Sequence, residues 1–320
     1  MKKPHFKPYL LAGLFVATAT QAFATGWTTG EAGYAPDYHR VAASAGATLD
    51  PDNDLLLQAE MGNGVGRNNS PAQETMATDY NLGLGYFPDA FWDVSLDGNM
   101  AYDSLRQRSS GGDLAMGLHQ DMGWMKPSLT VDGGLNSYRL NAAGTEQDFT
   151  GVKDGLALGL GVNDYLSFNA SGTFYQYDAT PYNNINGTVT TLNPSDSGGF
   201  QPFLRPYYPA PGGSEVGQQG GSVRNPLLFG FPKRDWSTGL TVTLPMTGST
   251  LTANYSQVED YLSDAWVKSV GASVRQELGA DKSFAVKLGW CKAVESGSDQ
   301  PFFSGGLTYY FRAVPKSATP

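Results

Sequence analysis

A single cysteine, Cys291, and three histidines are all that this 320-residue chain has of the side chains that make disulfides or most often hold transition metals. One cysteine excludes an internal disulfide framework, so stability has to come from elsewhere. Charge is scarce as well, at 16% of residues, and it is tilted toward acid, with 30 Asp and Glu against 21 Lys and Arg. That balance is the reverse of the basic patches that bind nucleic acid, so no nucleic-acid partner is expected. Nowhere in the body of the chain is there a run approaching the ~20 apolar residues of a membrane helix. The Ala, Glu, Lys and Leu dominance of helical proteins is missing too. Glycine, with 40 residues, and aromatics, at 12%, are plentiful, and the aromatics are too many for a disordered chain.

The first 24 residues stand apart. Lys2, Lys3 and Lys7 precede the apolar stretch YLLAGLFVATAT, and Ala22-Phe23-Ala24 supplies small residues at a cleavage position. This is the pattern of an export signal cut after Ala24, which leaves a mature chain from residue 25. Losing three lysines takes the formal charge from −9 to −12.

From Tyr38 onward the apolar period is two. Val41, Ala43, Ala45, Ala47 and Leu49 share one face. Trp92, Val94, Leu96, Met100 and Tyr102 alternate with Asp93, Ser95, Asp97, Asn99 and Asp103. The same pattern returns at 82–86, 156–162, 168–174, 236–244 and 284–290. Period two over such lengths is the mark of strands. Three further features favour a membrane barrel over a soluble sandwich. Aromatics such as Tyr86, Trp236, Trp290 and Phe303 cluster near strand ends, as interfacial girdles require. The opposite face carries Gly, Ser, Thr, Asn and Asp, which suits a wet lumen. Short links, such as 88–90 and 163–165, alternate with longer ones at 62–77, 105–112, 141–150, 178–234 and 295–302.

The last strand carries the most specific motif. Ser304-Gly305-Gly306-Leu307-Thr308-Tyr309-Tyr310-Phe311 resembles the closing-strand signal of Gram-negative outer-membrane β-barrels, with Ser304, Gly306, Tyr309 and Phe311 at its fixed places. The resemblance covers 25–311 and implies a porin-like barrel in the outer membrane, in contact with its lipid. It also implies handling by periplasmic chaperones and the barrel-assembly machinery. Such chains usually end at the final aromatic; here 312–320 continues as an expected flexible periplasmic tail.

Parity then counts the strands. Thirteen are clear, and the closing strand must end on the periplasmic side, where the mature chain also starts. One ascending strand is therefore owed, and 26–34 is the only candidate, with Trp27 and Tyr34 its only large apolar residues. The expected fold is all-β: a closed antiparallel transmembrane β-barrel of about 14 strands, with 12 as the alternative, short periplasmic turns and longer extracellular loops.

Enzyme chemistry finds little support. Parity turns His119 inward, and the adjacent sequence offers it no serine. Asp50, Asp52 and Asp54 begin like a calcium loop, but Leu55 and Met61 stand where glycine and glutamate are needed. Residues 62–68, GNGVGRN, lack the Lys-Ser/Thr pair of a phosphate loop and read as an ordinary loop. No catalytic residue, metal or cofactor is expected. The expected lumen charges are Glu60, Asp93, Asp97, Asp103 and Asp132 against Arg40, Arg275 and Lys287. Arg205, Arg224, Lys233 and Arg234 of the 178–234 loop are candidates for a constriction facing those acids. The sequence therefore reads as a passive channel for small hydrophilic solutes with a mild cation preference. The alternative is a non-transport barrel, an adhesin, surface-structure or polymer-export component, suggested by Phe203, Tyr207 and Tyr208 in the long loop. No stretch marks a flat apolar wall between subunits, so the sequence sets no oligomeric state.

Overall fold

The computed structural model describes residues 25–312, apart from links at 36–37, 50–53, 68–73, 89–90, 105–106, 143–144, 164, 180–230, 262–263, 265, 280–281 and 295–300. The export signal, Arg205, Arg224 and the tail from 313 lie outside the described residues.

Fourteen strands follow one another. They are β1 (Thr25–Ala35), β2 (Tyr38–Thr48), β3 (Leu55–Arg67), β4 (Glu74–Tyr86), β5 (Trp92–Asp103), β6 (Arg108–His119) and β7 (Met125–Ala142), then β8 (Thr145–Val162), β9 (Leu166–Tyr177), β10 (Pro232–Leu244), β11 (Ser249–Asp260), β12 (Trp266–Leu278), β13 (Phe284–Ala293) and β14 (Phe302–Arg312). Each pairs antiparallel with its sequence neighbours, and β14 closes on β1. Closure satisfies every ladder from within the sheet and leaves no open edge for lipid to meet. The end where the chain enters β1 and leaves β14 is called the near end below, and the opposite end the far end.

The register shows the tilt. A row of directly paired residues starts at Phe311 and Gly26, at the near end, and runs through Ala47, Leu57, Leu84, Leu96 and Leu114. It continues through Gly133, Asp154, Phe174, Arg234 and Glu259 to Trp266, at the far end. One circuit thus climbs from one mouth to the other, the stagger that a closed, tilted barrel demands.

The outer wall is apolar. Leu96, Leu114, Leu158, Leu288 and Leu307 stand exposed in its middle. Tyr86, Phe168, Phe284 and Tyr309 ring the near end, and Tyr34, Tyr102, Phe174, Trp236 and Phe303 ring the far end, the two girdles of a bilayer-spanning barrel. In β14, Tyr309 and Phe311 point outward with Phe303 and Leu307, while Ser304 and Gly306 point inward.

Parts of the longer stretches that read as links are strand instead: 62–67, 74–77, 108–112, 141–142, 145–150, 232–234 and 302. Glycine accounts for the difference at 62–67 and 108–112. Inward glycines are the floor on which a neighbour's long side chain lies, so alternation with glycine replaces alternation with polar residues. A Cβ on Gly62 would come 2.5 Å from Arg40 Nη2 and 2.7 Å from Asp79 Oδ2. Asn163, just after β8, has φ 52°, and Gly248 closes the β10–β11 turn at φ 67°. A left-handed conformation there suits glycine and asparagine.

Rings also lie over glycines where the barrel closes. Trp27 lies over Gly46 and Phe302 over Gly33 on the inside, while Phe311 lies over Gly26 on the outside. Trp27 and Tyr34, seven positions apart, therefore face opposite ways, with Trp27 buried in the lumen and Tyr34 exposed toward lipid.

Candidate functional site: the charged lumen

Inward side chains from successive strands build the site. On β1–β8 the inward acids are Glu31, Glu60, Asp79, Asp93, Asp97, Asp103, Asp113 and Asp132. Among the described residues, Arg40, Lys126 and Lys153 offset them on that side. Among the described side chains of β9–β14 the inward charges are Asp235, Glu277, Arg275 and Lys287. The rest of that wall is largely hydroxyl, with Ser171–Ser237 at 2.6 Å and Ser256–Ser269 at 2.7 Å, and Thr308 meets Thr29 of β1 across the seam at 2.9 Å. One half of the wall is strongly acidic, and the other is balanced.

Two networks organise the acidic half. Arg40 Nη2 donates to Glu60 Oε1 and to Asp79 Oδ2, each at 2.9 Å, with all three side chains largely buried. Lys153 Nζ lies 3.0 Å from Asp113 Oδ2 and 4.0 Å from Asp132 Oδ2. Asp97 stands directly opposite Asp113 across β5 and β6. Neither Asp97 Oδ1 nor Asp113 Oδ1 has a protein hydrogen-bond partner among the described residues. Three carboxylates thus gather around one ammonium.

Glycines set how flat these acids lie. Asp93 covers Gly117, Asp97 covers Gly83, Asp113 covers Gly134 and Asp132 covers Gly155. A methyl group on Gly155 would collide with the Asp132 carboxylate. Gly155→Ala is therefore expected to lift Asp132 off the wall, away from Lys153, and to change single-channel conductance in planar bilayers. Gly133→Ala, whose nearest contact would be 3.7 Å from the Asp154 carboxylate, is the matched control with unchanged conductance.

The other sequence candidates take different places. Asp103 points inward but is occupied in the β5–β6 turn, accepting from the Gln107 backbone N–H at 2.9 Å and from its Nε2 at 2.8 Å. Arg275 and Lys287 face each other across β12 and β13, and Arg275 donates to the Tyr310 hydroxyl at 2.6 Å. Lys233 and Arg234 lie in β10, beyond the long loop. A bulge between Pro232 and Arg234 shifts the register, and Arg234 pairs on the outer side with Glu259 and stacks over Trp266 at 5.0 Å. His119 is inward and bonded to Asp93, and the register places Ser128 opposite it, a neighbour invisible in the local sequence. Tyr138, Leu140, Phe149 and Phe231 pack into a buried aromatic cluster at the far end, with Tyr177 and Tyr261 against it.

An apolar belt between two aromatic girdles, around a closed sheet with a polar, charged interior, decides the class. The chain is a bilayer-spanning β-barrel. Such barrels meet lipid with their outer wall and water with their inner one. No protein-family model matches the sequence, and no curated protein sequence matches it. Among solved structures, the fold is similar to that of CdiB from Acinetobacter baumannii, at 8% identity and TM-score 0.48, over 90% of this chain and 60% of that one. This chain thus spans 60% of the length of CdiB. It is also similar to the toluene transporter TodX of Pseudomonas putida, at 11% identity and TM-score 0.46, over 93% of each chain. OccAB1 of Acinetobacter baumannii matches at 9% identity and TM-score 0.47, over 91% of this chain and 97% of that one.

Proposed function

We propose that the barrel is a passive channel for small hydrophilic solutes across a Gram-negative outer membrane, with a preference for cations. The observation that carries the reading is the acidic half of the wall, where the inward carboxylates of β1–β8 outnumber the inward bases. Low-dielectric walls focus the field of such charges and raise the local concentration of cations. The near end faces the periplasm in this reading, because an exported chain cleaved after Ala24 enters the membrane from that side. Ser304, Gly306, Tyr309 and Phe311 then present the closing strand to the assembly machinery. No step of this function calls on a catalytic group or a cofactor.

A planar bilayer under a salt gradient tests the preference. The mature chain is expected to give conductance steps and a reversal potential of cation sign. Asp97→Asn with Asp132→Asn is expected to move that potential toward zero, and Lys153→Gln to move it further toward the cation limit. An anion-sign potential overturns the selectivity, and a correctly folded barrel without conductance steps overturns the channel.

A further inference from the structure

Basic residues on the outer wall are placed on one side only. Among residues with described side chains, the outward arginines and lysines of the regular strand positions are Arg108, Arg139, Arg234, Lys268 and Lys292, and Lys233, in the β10 bulge, reaches the outward Glu259 at 3.5 Å and Asp264 at 2.7 Å. Each lies within three residues of the far end of its strand, and none lies at the near end. The far girdle sits just beneath them.

Three of the five gather on β10–β13. Arg234 is held over Trp266 and paired with Glu259, whose side chain is buried while that of the arginine stays 41% exposed. Lys268 is two residues along the same face from Trp266, and Lys292 stands opposite Val270, one alternation further toward the near end. Beneath them lie Trp236, Tyr255 and Trp290, outward-facing one alternation or more toward the membrane centre. The result is an aromatic shelf with a cationic lip. Arginine fixed by stacking keeps N–H groups in place for a phosphate at little entropic cost. Lysines at this depth are attracted to an anionic leaflet surface.

We propose that this face binds the phosphate headgroup of an anionic lipid in the leaflet at the far end, with the acyl chains lying over Trp236 and Trp290. The bilayer presents such headgroups at the depth of the cations, and the shelf needs an apolar tail that a free phosphate lacks. The site is on the outside of the barrel and does not depend on what crosses the lumen.

Titration of the purified, detergent-solubilised mature chain with lipid A, a diphosphorylated glycolipid, followed by native mass spectrometry, tests it. Wild type is expected to retain the lipid. Each lysine contributes roughly five-fold near an anionic surface, so Lys268→Gln with Lys292→Gln is expected to weaken binding roughly thirty-fold. Arg108→Gln, on the opposite part of the rim, is expected to bind as wild type does, and the double variant is expected to keep wild-type conductance. Inorganic phosphate at the same phosphate concentration is expected to displace none of the lipid. Unchanged binding by the double variant, or equal competition by inorganic phosphate, overturns the proposal. If the double variant does not fold, wild type in rising sodium chloride decides: affinity has to fall as the charges are screened, and salt-insensitive retention overturns the site.

Discussion

Arg40→Met is expected to cost about 3–5 kcal/mol of barrel stability, because it strands two buried carboxylates without their common partner. Arg40 is the cation that Glu60 and Asp79 share, and Gly62 leaves it room to lie between them. Methionine restores the volume but leaves two like charges facing each other at low dielectric. Urea unfolding in detergent, followed by loss of the fast-migrating folded band on unboiled gels, measures the loss. The triple variant Arg40→Met, Glu60→Gln, Asp79→Asn removes the stranded charges and is expected to recover most of the stability. Failure of that recovery would show that the packing of the arginine, rather than its charge, carries the effect. The surviving channels of the single variant are also expected to be more cation-selective than wild type, since a lumen positive charge has gone.

The closing seam gives the second large effect. Gly26, Gly33 and Gly46 each lie under a ring, those of Phe311, Phe302 and Trp27. A Cβ on Gly46 would stand 2.9 Å from the Trp27 indole, and the other two would collide more severely. Overpacking of a well-filled site costs about 1–3 kcal/mol per position. All three sites lie on β14, β1 and β2, around the seam where the last strand pairs with the first. The triple Gly→Ala variant is therefore expected to lose the heat-modifiable folded band altogether. Gly30→Ala, in β1 between two of those positions, has nothing within 4 Å of the added carbon and is expected to fold as wild type does. A triple variant with a normal folded band would sink the idea that the rings lock the seam.

Much of this architecture can be read from residue order. Alternation of oil and water at successive positions locates most strands and tells which side chain faces where; Asp93, Asp97 and Asp132 are inward as parity requires. The first strand is legible only through the need for an even number, because its outward positions before Tyr34 are Gly26, Thr28, Gly30 and Ala32. Parts of the acidic wall are hidden by glycine. Asp113 follows Gly111 and Gly112, and Lys153 follows Thr150-Gly151-Val152, each just beyond a segment that reads as a link. Continuing the Leu156, Leu158 and Leu160 alternation backwards does put Lys153 inward. The placement of Arg234 is of another kind. The alternation of Trp236, Leu240 and Val242, carried back to Arg234, puts it outward, so it reads as a lumen candidate only while it is assigned to the long loop and not to β10. The pairing of His119 with Asp93 and its nearness to Ser128 depend on cross-strand register rather than on spacing along the chain.

The strict in-and-out order of every strand also constrains how this gene can drift. Deleting one residue inside β5 would swing the carboxylates beyond the gap into lipid and the leucine and methionine side chains into water. Deleting two adjacent residues would shorten the cylinder locally and leave its inside and outside as they were. Length variation among descendants of this chain should therefore come in pairs within strands and in any number between them, a bias that counting gaps would reveal.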